Sequence, residues 1–138
     1  MTYLDAYALV AFLIGGPAAA AVRGLLRDGN TAVATANLAE ALDVSRRVYG
    51  FPIERAKEVI EPLFDQALRA VSLDMEVAYR AASIRMRYYH RSTCPISLAD
   101  AVLLGSGAPG DRIATSDPHV LSVAGQEGFE PVELPGQG

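Results

Sequence analysis

The sequence predicts a single α/β domain: a central, mostly parallel sheet of four to five short strands with helices on both faces. Three observations predict it. Short apolar runs such as Thr31–Thr35 and Arg112–Thr115 alternate with longer segments whose apolar residues recur at helical spacing, the alternation expected of a parallel sheet. Helix-start residues such as Asp74, Ser97 and Asp117 introduce several of those longer segments. A length of 138 residues with 51% apolar content is enough for one packed core and typical of one domain.

The elements follow in order. Thr2–Leu4 is a short apolar strand ended by Asp5, and Ala6–Ile14 reads as a buried helix closed by Gly15-Gly16. Pro17 opens a second helix at the favoured first position, and Asp28-Gly29-Asn30 stops it. After the strand Thr31–Thr35, the spacing of Asn37 and Glu40 has the form of a capping box. The helix it starts turns Leu38, Ala41, Leu42, Ser45 and Val48 inward and ends at Tyr49-Gly50. Pro52 begins the next helix, with an inner stripe of Ile53, Ala56, Ile60, Leu63 and Ala67 and a split or kink at Pro62. Arg69–Leu73 is a strand, and Asp74 caps a long helix to about His90 that buries Val77, Ala81, Ile84 and Tyr88. Ser97 starts a helix through Leu104 that Gly105–Gly110 terminates. Arg112–Thr115 is a strand, Asp117-Pro118 opens a helix to about Gly125, and Phe129–Leu134 is the last strand. Residues 1–134 make the domain and 135–138 a tail.

Composition narrows the function. A net charge of −4 offers no overall attraction to nucleic acid, and bound cations would locally cancel part of the sixteen carboxylates. The single Cys94 excludes an internal disulfide and a thiolate zinc site, and fits a reduced, cytoplasmic setting. His90 and His119 are too few and too far apart for a zinc cage. The apolar stretch from Ala6 to Val22 does not read as a signal or a membrane span, because Asp5 precedes it in place of a basic residue and Gly15-Gly16-Pro17 interrupts it.

Four acids carry the chemistry: Asp5, Glu40, Asp100 and Asp117. Each stands where a strand gives way to a helix or in the first turns of such a helix, and right-handed crossovers bring those junctions to one sheet edge. Carboxylates gathered there repel one another unless a cation sits among them, and oxygen-only ligands suit Mg²⁺ or Mn²⁺. Each acid also has a plainer reading as a helix cap, a role that stabilises by about 1 kcal/mol and needs no metal. Asp74 is a further acid in a cap position.

Four stretches resemble the PIN-domain family, and within it the VapC-type ribonuclease toxins of bacterial toxin–antitoxin pairs. They are Tyr3-Leu4-Asp5-Ala6-Tyr7-Ala8-Leu9, Leu38-Ala39-Glu40-Ala41, Ile96-Ser97-Leu98-Ala99-Asp100-Ala101 and Ile113-Ala114-Thr115-Ser116-Asp117. The last two are fairly specific as a pair, and order and spacing fit over nearly the whole chain. Ala6 departs from the pattern, standing where many relatives carry a hydroxyl residue. The resemblance implies a PIN-like α/β/α sandwich and a Mg²⁺- or Mn²⁺-dependent ribonuclease in which a metal-bound water attacks an RNA phosphodiester. It makes Asp5 and Asp100 the central ligands, lets Glu40 bind metal or orient water, gives Asp117 a second site, and lets the Thr115 hydroxyl support them. It further implies a VapB-type antitoxin as partner and a homodimer. The apolar positions Val48, Tyr49, Phe51, Ile53, Val59 and Phe64 exceed what one small sheet covers and suggest a groove for that partner.

Arg85, Arg87 and Arg91, interleaved with Tyr88 and Tyr89, are candidate RNA contacts, weighed against a role as cations at a helix C-terminus. Arg46, Arg47, Asp43 and His119 fit a solvated surface better than a site. Receiver domains and haloacid-dehalogenase-like phosphatases are disfavoured: Lys57, the only lysine, lies in a helix, and Asp5 is not followed by a second Asp at two residues. The competing class is a non-enzymatic binding module whose acids serve as caps.

Overall fold

The computed structural model describes residues 1–136 and shows an α/β/α sandwich. Its elements are β1 (Thr2–Leu4), α1 (Ala6–Ile14), α2 (Ala19–Asp28), β2 (Thr31–Ala34), α3 (Thr35–Tyr49) and α4 (Ile53–Phe64). They continue with β3 (Leu68–Val71), α5 (Met75–Tyr88), α6 (Leu98–Ser106), β4 (Arg112–Thr115), α7 (Pro118–Gln126) and β5 (Glu130–Glu133). The five strands form one sheet in the order β3-β2-β1-β4-β5, and every pairing is parallel.

Alternation along the strands sorts the core into two layers. Leu4, Val33 and Ala114 face a layer that includes α1, α2 and residues of α3 and α4, where Leu9, Val22, Leu26 and Ala41 are buried. Tyr3, Ala32 and Ile113 face the opposite layer, where Ile84, Leu103, Val120 and Val123 are buried. Both faces being covered accounts for the mostly buried β1, β2 and β4, whereas the edge strands β3 and β5 are largely exposed. Helices α5 and α6 pack backbone to backbone. A Cβ on Gly105 would lie 3.0 Å from the Ala81 nitrogen and 3.2 Å from the Val77 oxygen, so only glycine fits there.

Strand order reverses at β1: the chain runs outward through β2 and β3, then returns to place β4 on the other side of β1. This is the switch point at whose carboxyl edge open α/β sheets bind ligands. Asp5 directly follows β1 and Asp117 lies two residues beyond β4. The sequence expectation for this architecture holds, with the sheet wholly parallel.

Some local expectations are corrected. Helix α2 begins at Ala19, not Pro17, because residues 16–18 form a turn in which the Ala19 amide donates to the Gly16 carbonyl at 3.1 Å. Helix α3 begins at Thr35, so Asn37 is inside it and forms no capping box with Glu40; the cap position is Ala34. Val48 is 57% exposed and not inward-facing, and Ile53 is 48% exposed. Helix α4 is continuous across Pro62, which sits close to its C-terminal end, and it stops at Phe64, before Ala67. Helix α6 runs through Gly105 to Ser106. Of the expected tail, Pro135 is held by the Tyr7 hydroxyl, which donates to its carbonyl at 2.5 Å; residues 137 and 138 lie outside the described residues. No single described helix is long and apolar enough to cross a membrane; α1 and α2 reach the necessary length only as a pair bent by 105°, and much of α1 is core.

Candidate active site

Asp5 leaves β1 with an extended backbone and caps α1, its Oδ1 accepting from the Ala8 amide at 2.8 Å. Its own amide donates to the Ala114 carbonyl at 3.3 Å, which locks it beside the end of β4. Only 8% of Asp5 is exposed. Burial lifts its pKa to about 6, against the opposing pull of the Thr115 hydroxyl and the Ala8 amide, and the charges of Asp100 and Glu40 push the same way as burial.

Asp100 enters from the other side of the edge. Ser97 and Asp100 form a reciprocal capping box: the Asp100 amide donates to Ser97 Oγ at 3.0 Å, and the Ser97 amide donates to Asp100 Oδ2 at 2.9 Å. Burial raises the Asp100 pKa, the Ser97 bonds lower it, and the charge of Asp117 raises it. Asp117 caps α7, its Oδ1 accepting from the amides of His119 at 2.8 Å and Val120 at 3.4 Å. Thr115, fully buried, turns its Oγ1 to the Asp117 amide at 3.1 Å. Glu40 lies in the second turn of α3, and its pKa is raised by burial first and then by the charges of Asp100 and Asp43. The mutual electrostatic influence of Asp5, Glu40, Asp100 and Asp117 places all four in one field.

Capping explains three of these acids but not Glu40, which is too far into α3 to cap it. The capping bonds engage one oxygen of each aspartate: Oδ1 of Asp5, Oδ2 of Asp100 and Oδ1 of Asp117. Among the described residues no three His, Cys, Asp or Glu side chains already stand close enough together to hold a metal ion. By donor chemistry the set still fits a hard divalent cation, because it is all carboxylate and its members destabilise one another's charge.

One residue that the sequence reading took for a cap does something else. Asn37 is 1% exposed, and its Nδ2 donates to the Ala99 carbonyl at 3.2 Å, tying α3 to the first turn of α6 and hence Glu40 to the neighbourhood of Asp100. Among the described residues its Oδ1 has no hydrogen-bond partner. The available signal is a stripe at four-residue spacing, Asn37-Ala41-Ser45, all buried and all small or polar. Tyr7 is the second omission. Its pKa is raised by burial, then by the charges of Asp5 and Tyr49. Tyr7, Val10, Ile14, Val44 and Tyr49 line a cleft of about 420 Å³ that also touches Glu40 and Ser116.

The arginines are placed differently. Arg87 pairs with Glu127 at 2.7 Å, and Glu127 also accepts from the Tyr88 hydroxyl at 2.6 Å. Glu127 ends α7 and Asp117 begins it, so Arg87 sits about 14 Å of helix away from Asp117. Arg85 donates to the Ile96 carbonyl at 3.3 Å and stacks 4.2 Å from the centre of the Tyr89 ring. Arg91 is exposed in the turn that follows. Asp43 is turned to Arg47 in an exposed pair at 3.3 Å, and His119 is half-buried.

A family model described as the PIN domain matches residues 2–125. Among solved structures, the chain is similar to FitAcB from Neisseria gonorrhoeae at 21% identity, covering 95% of this chain and 96% of that one with a TM-score of 0.61. It is also similar to a toxin–antitoxin complex from Klebsiella pneumoniae at 14% identity, covering 85% of this chain and 87% of that one with a TM-score of 0.59. No curated protein matches the sequence.

Proposed function

The chain belongs to the PIN domain family, and on that premise we propose that it is a Mg²⁺- or Mn²⁺-dependent ribonuclease, the toxin of a VapC-type toxin–antitoxin pair acting in the cytoplasm. The observation that supports the reading is the electrostatic coupling of Asp5, Glu40, Asp100 and Asp117 near the switch point of a parallel sheet, with three of them raised in pKa by burial. Asp5 and Asp100 would be the central ligands, Asp117 would complete the set, and Glu40 would bind or orient a water. A divalent cation held there supplies Lewis acidity toward a phosphoryl oxygen and a lowered pKa for water. The chain's own contribution is positioning. The caps fix each aspartate to a rigid helix end, the Asn37 bond holds Glu40 near Asp100, and Thr115 braces both Asp5 and the start of α7. The reading as a binding module is favoured by the three satisfied caps, but it leaves Glu40 unexplained. Purified protein incubated with RNA should generate new ends with Mg²⁺ or Mn²⁺ and none with chelator. Mapping those ends by sequencing also identifies the cut site, and end profiles identical in both conditions would remove the nuclease assignment.

The partner surface lies between α3 and α4. Leu38, Leu42, Ile53, Ile60 and Phe64 line a groove of about 250 Å³, and Val48 and Tyr49 are exposed nearby on α3. Its walls are apolar and its rim carries Lys57 and Glu61. We assign it to a helix or extended segment of a VapB-type antitoxin, and the same family resemblance suggests a homodimer. Ile53→Glu, at a half-exposed groove position, should weaken co-purification of a co-expressed antitoxin by at least about tenfold, the cost expected for burying an unpaired carboxylate. Unchanged co-purification with a folded variant would place the partner elsewhere.

A further inference from the structure

We propose that the cleft between α1 and α3 is a nucleobase subsite, seating a base of single-stranded RNA next to the bond that is cut. The inference rests on the ribonuclease reading above and deepens it. The cleft is continuous with the acids: Ala6 adjoins Asp5, Ser116 adjoins Asp117, and Glu40 itself is part of the lining. A phosphodiester at the acids therefore presents an adjoining base to this opening. The walls suit a base and not a phosphate. Val10, Ile14 and Val44 are apolar, Tyr7 and Tyr49 supply aromatic surface, and among the described residues no Lys or Arg lines the cleft. Glu40 would repel a phosphate that entered, whereas an uncharged base has an aromatic face to stack and edges that can bond to hydroxyls. Tyr7 is held for the task, because its hydroxyl is tethered to the Pro135 carbonyl at 2.5 Å and the ring is fixed before any ligand arrives. A volume of about 420 Å³ lies in the range of pockets for small ligands. Base recognition is thereby assigned to α1 and α3, not to the arginines at the end of α5.

The test uses a short RNA carrying a single abasic position, moved in turn along the strand. With wild-type protein and Mn²⁺, an abasic nucleotide at one position flanking the cut should lower kcat/KM by on the order of tenfold, mainly through KM. Tyr49→Ala, at a residue 43% exposed, and Val44→Trp, which fills the cleft, should each reduce that penalty to near unity while far-UV circular dichroism stays unchanged. The same comparison is made by RNA binding in an Asp100→Asn background, where the intact strand should bind about tenfold tighter than the abasic one only when Tyr49 and Val44 are present. Full penalties in both cleft variants, or no penalty at any position in the wild type, overturn the subsite and leave the cleft to a peptide. Failure of the wild type to cut RNA sinks the ribonuclease reading instead, and the binding comparison then decides the subsite by itself.

Discussion

Asp100→Asn is expected to lower Mn²⁺-dependent RNA cleavage by more than about a hundredfold while leaving the far-UV spectrum intact; loss of supporting contacts alone costs about 10- to 100-fold, and a ligand should cost more. The substitution is nearly isosteric. Asn keeps an oxygen to accept from the Ser97 amide, so the capping box that starts α6 persists. What it removes is one negative charge from a set in which Asp5, Glu40 and Asp117 are its electrostatic neighbours. A hard cation bound through carboxylates loses affinity accordingly. Initial cleavage rates across a Mn²⁺ titration measure the effect, and high Mn²⁺ should restore part of the rate. A folded Asp100→Asn protein that cuts at the wild-type rate would reduce the acids to helix caps and the protein to a binding module.

Asp5→Asn should stabilise the metal-free protein at pH 8, by up to roughly 3 kcal/mol, the free-energy equivalent of moving one carboxyl from its ordinary pKa of 3.8 to about 6. Because the folded pKa is raised, the native state holds the proton more tightly than the unfolded chain does. Asp5 therefore costs nothing below about pH 4, the penalty grows as pH rises through about 6, and it is fully present above that. Glu40 and Asp100 are shifted in the same direction and add to the slope. Asn serves equally well as an N-cap for the Ala8 amide, so the variant keeps the cap and loses the buried charge. Mn²⁺ reverses the order. A cation bound only by the folded state adds about 2.7 kcal/mol at a hundred times its Kd, and this gain should appear in the wild type and largely vanish in Asp5→Asn. Denaturant unfolding at pH 4, 6 and 8, with and without Mn²⁺, tests both halves. Equal Mn²⁺ effects on the two proteins would show that Asp5 holds no cation.

Much of this protein was determined locally, and local chemistry is what a sequence displays. Asp74, Ser97 and Asp117 start their helices because a short acceptor side chain reaches an amide two or three residues on, and Gly50 ends α3 because it adopts a left-handed backbone. Alternating strands and helices were enough for a parallel sheet, and the crossover rule was enough to bring Asp5 and Asp117 to one edge. Tertiary packing decided the rest. Asn37 has the spacing of a cap, but α3 starts two residues earlier and its inner face packs near α6, so the amide became a buried tie to Ala99. Arg87 and Arg85 are candidate RNA contacts along the chain, and only the fold shows that they also have partners in Glu127 and the Ile96 carbonyl, distant or across a turn in sequence. The cleft beside Glu40 belongs to α1 and α3 together, and no window of sequence contains both its walls. Caps and turns are short-range hydrogen bonds with fixed spacing, whereas ties, ion pairs and clefts depend on which helix faces meet, and that is settled only when the whole core packs.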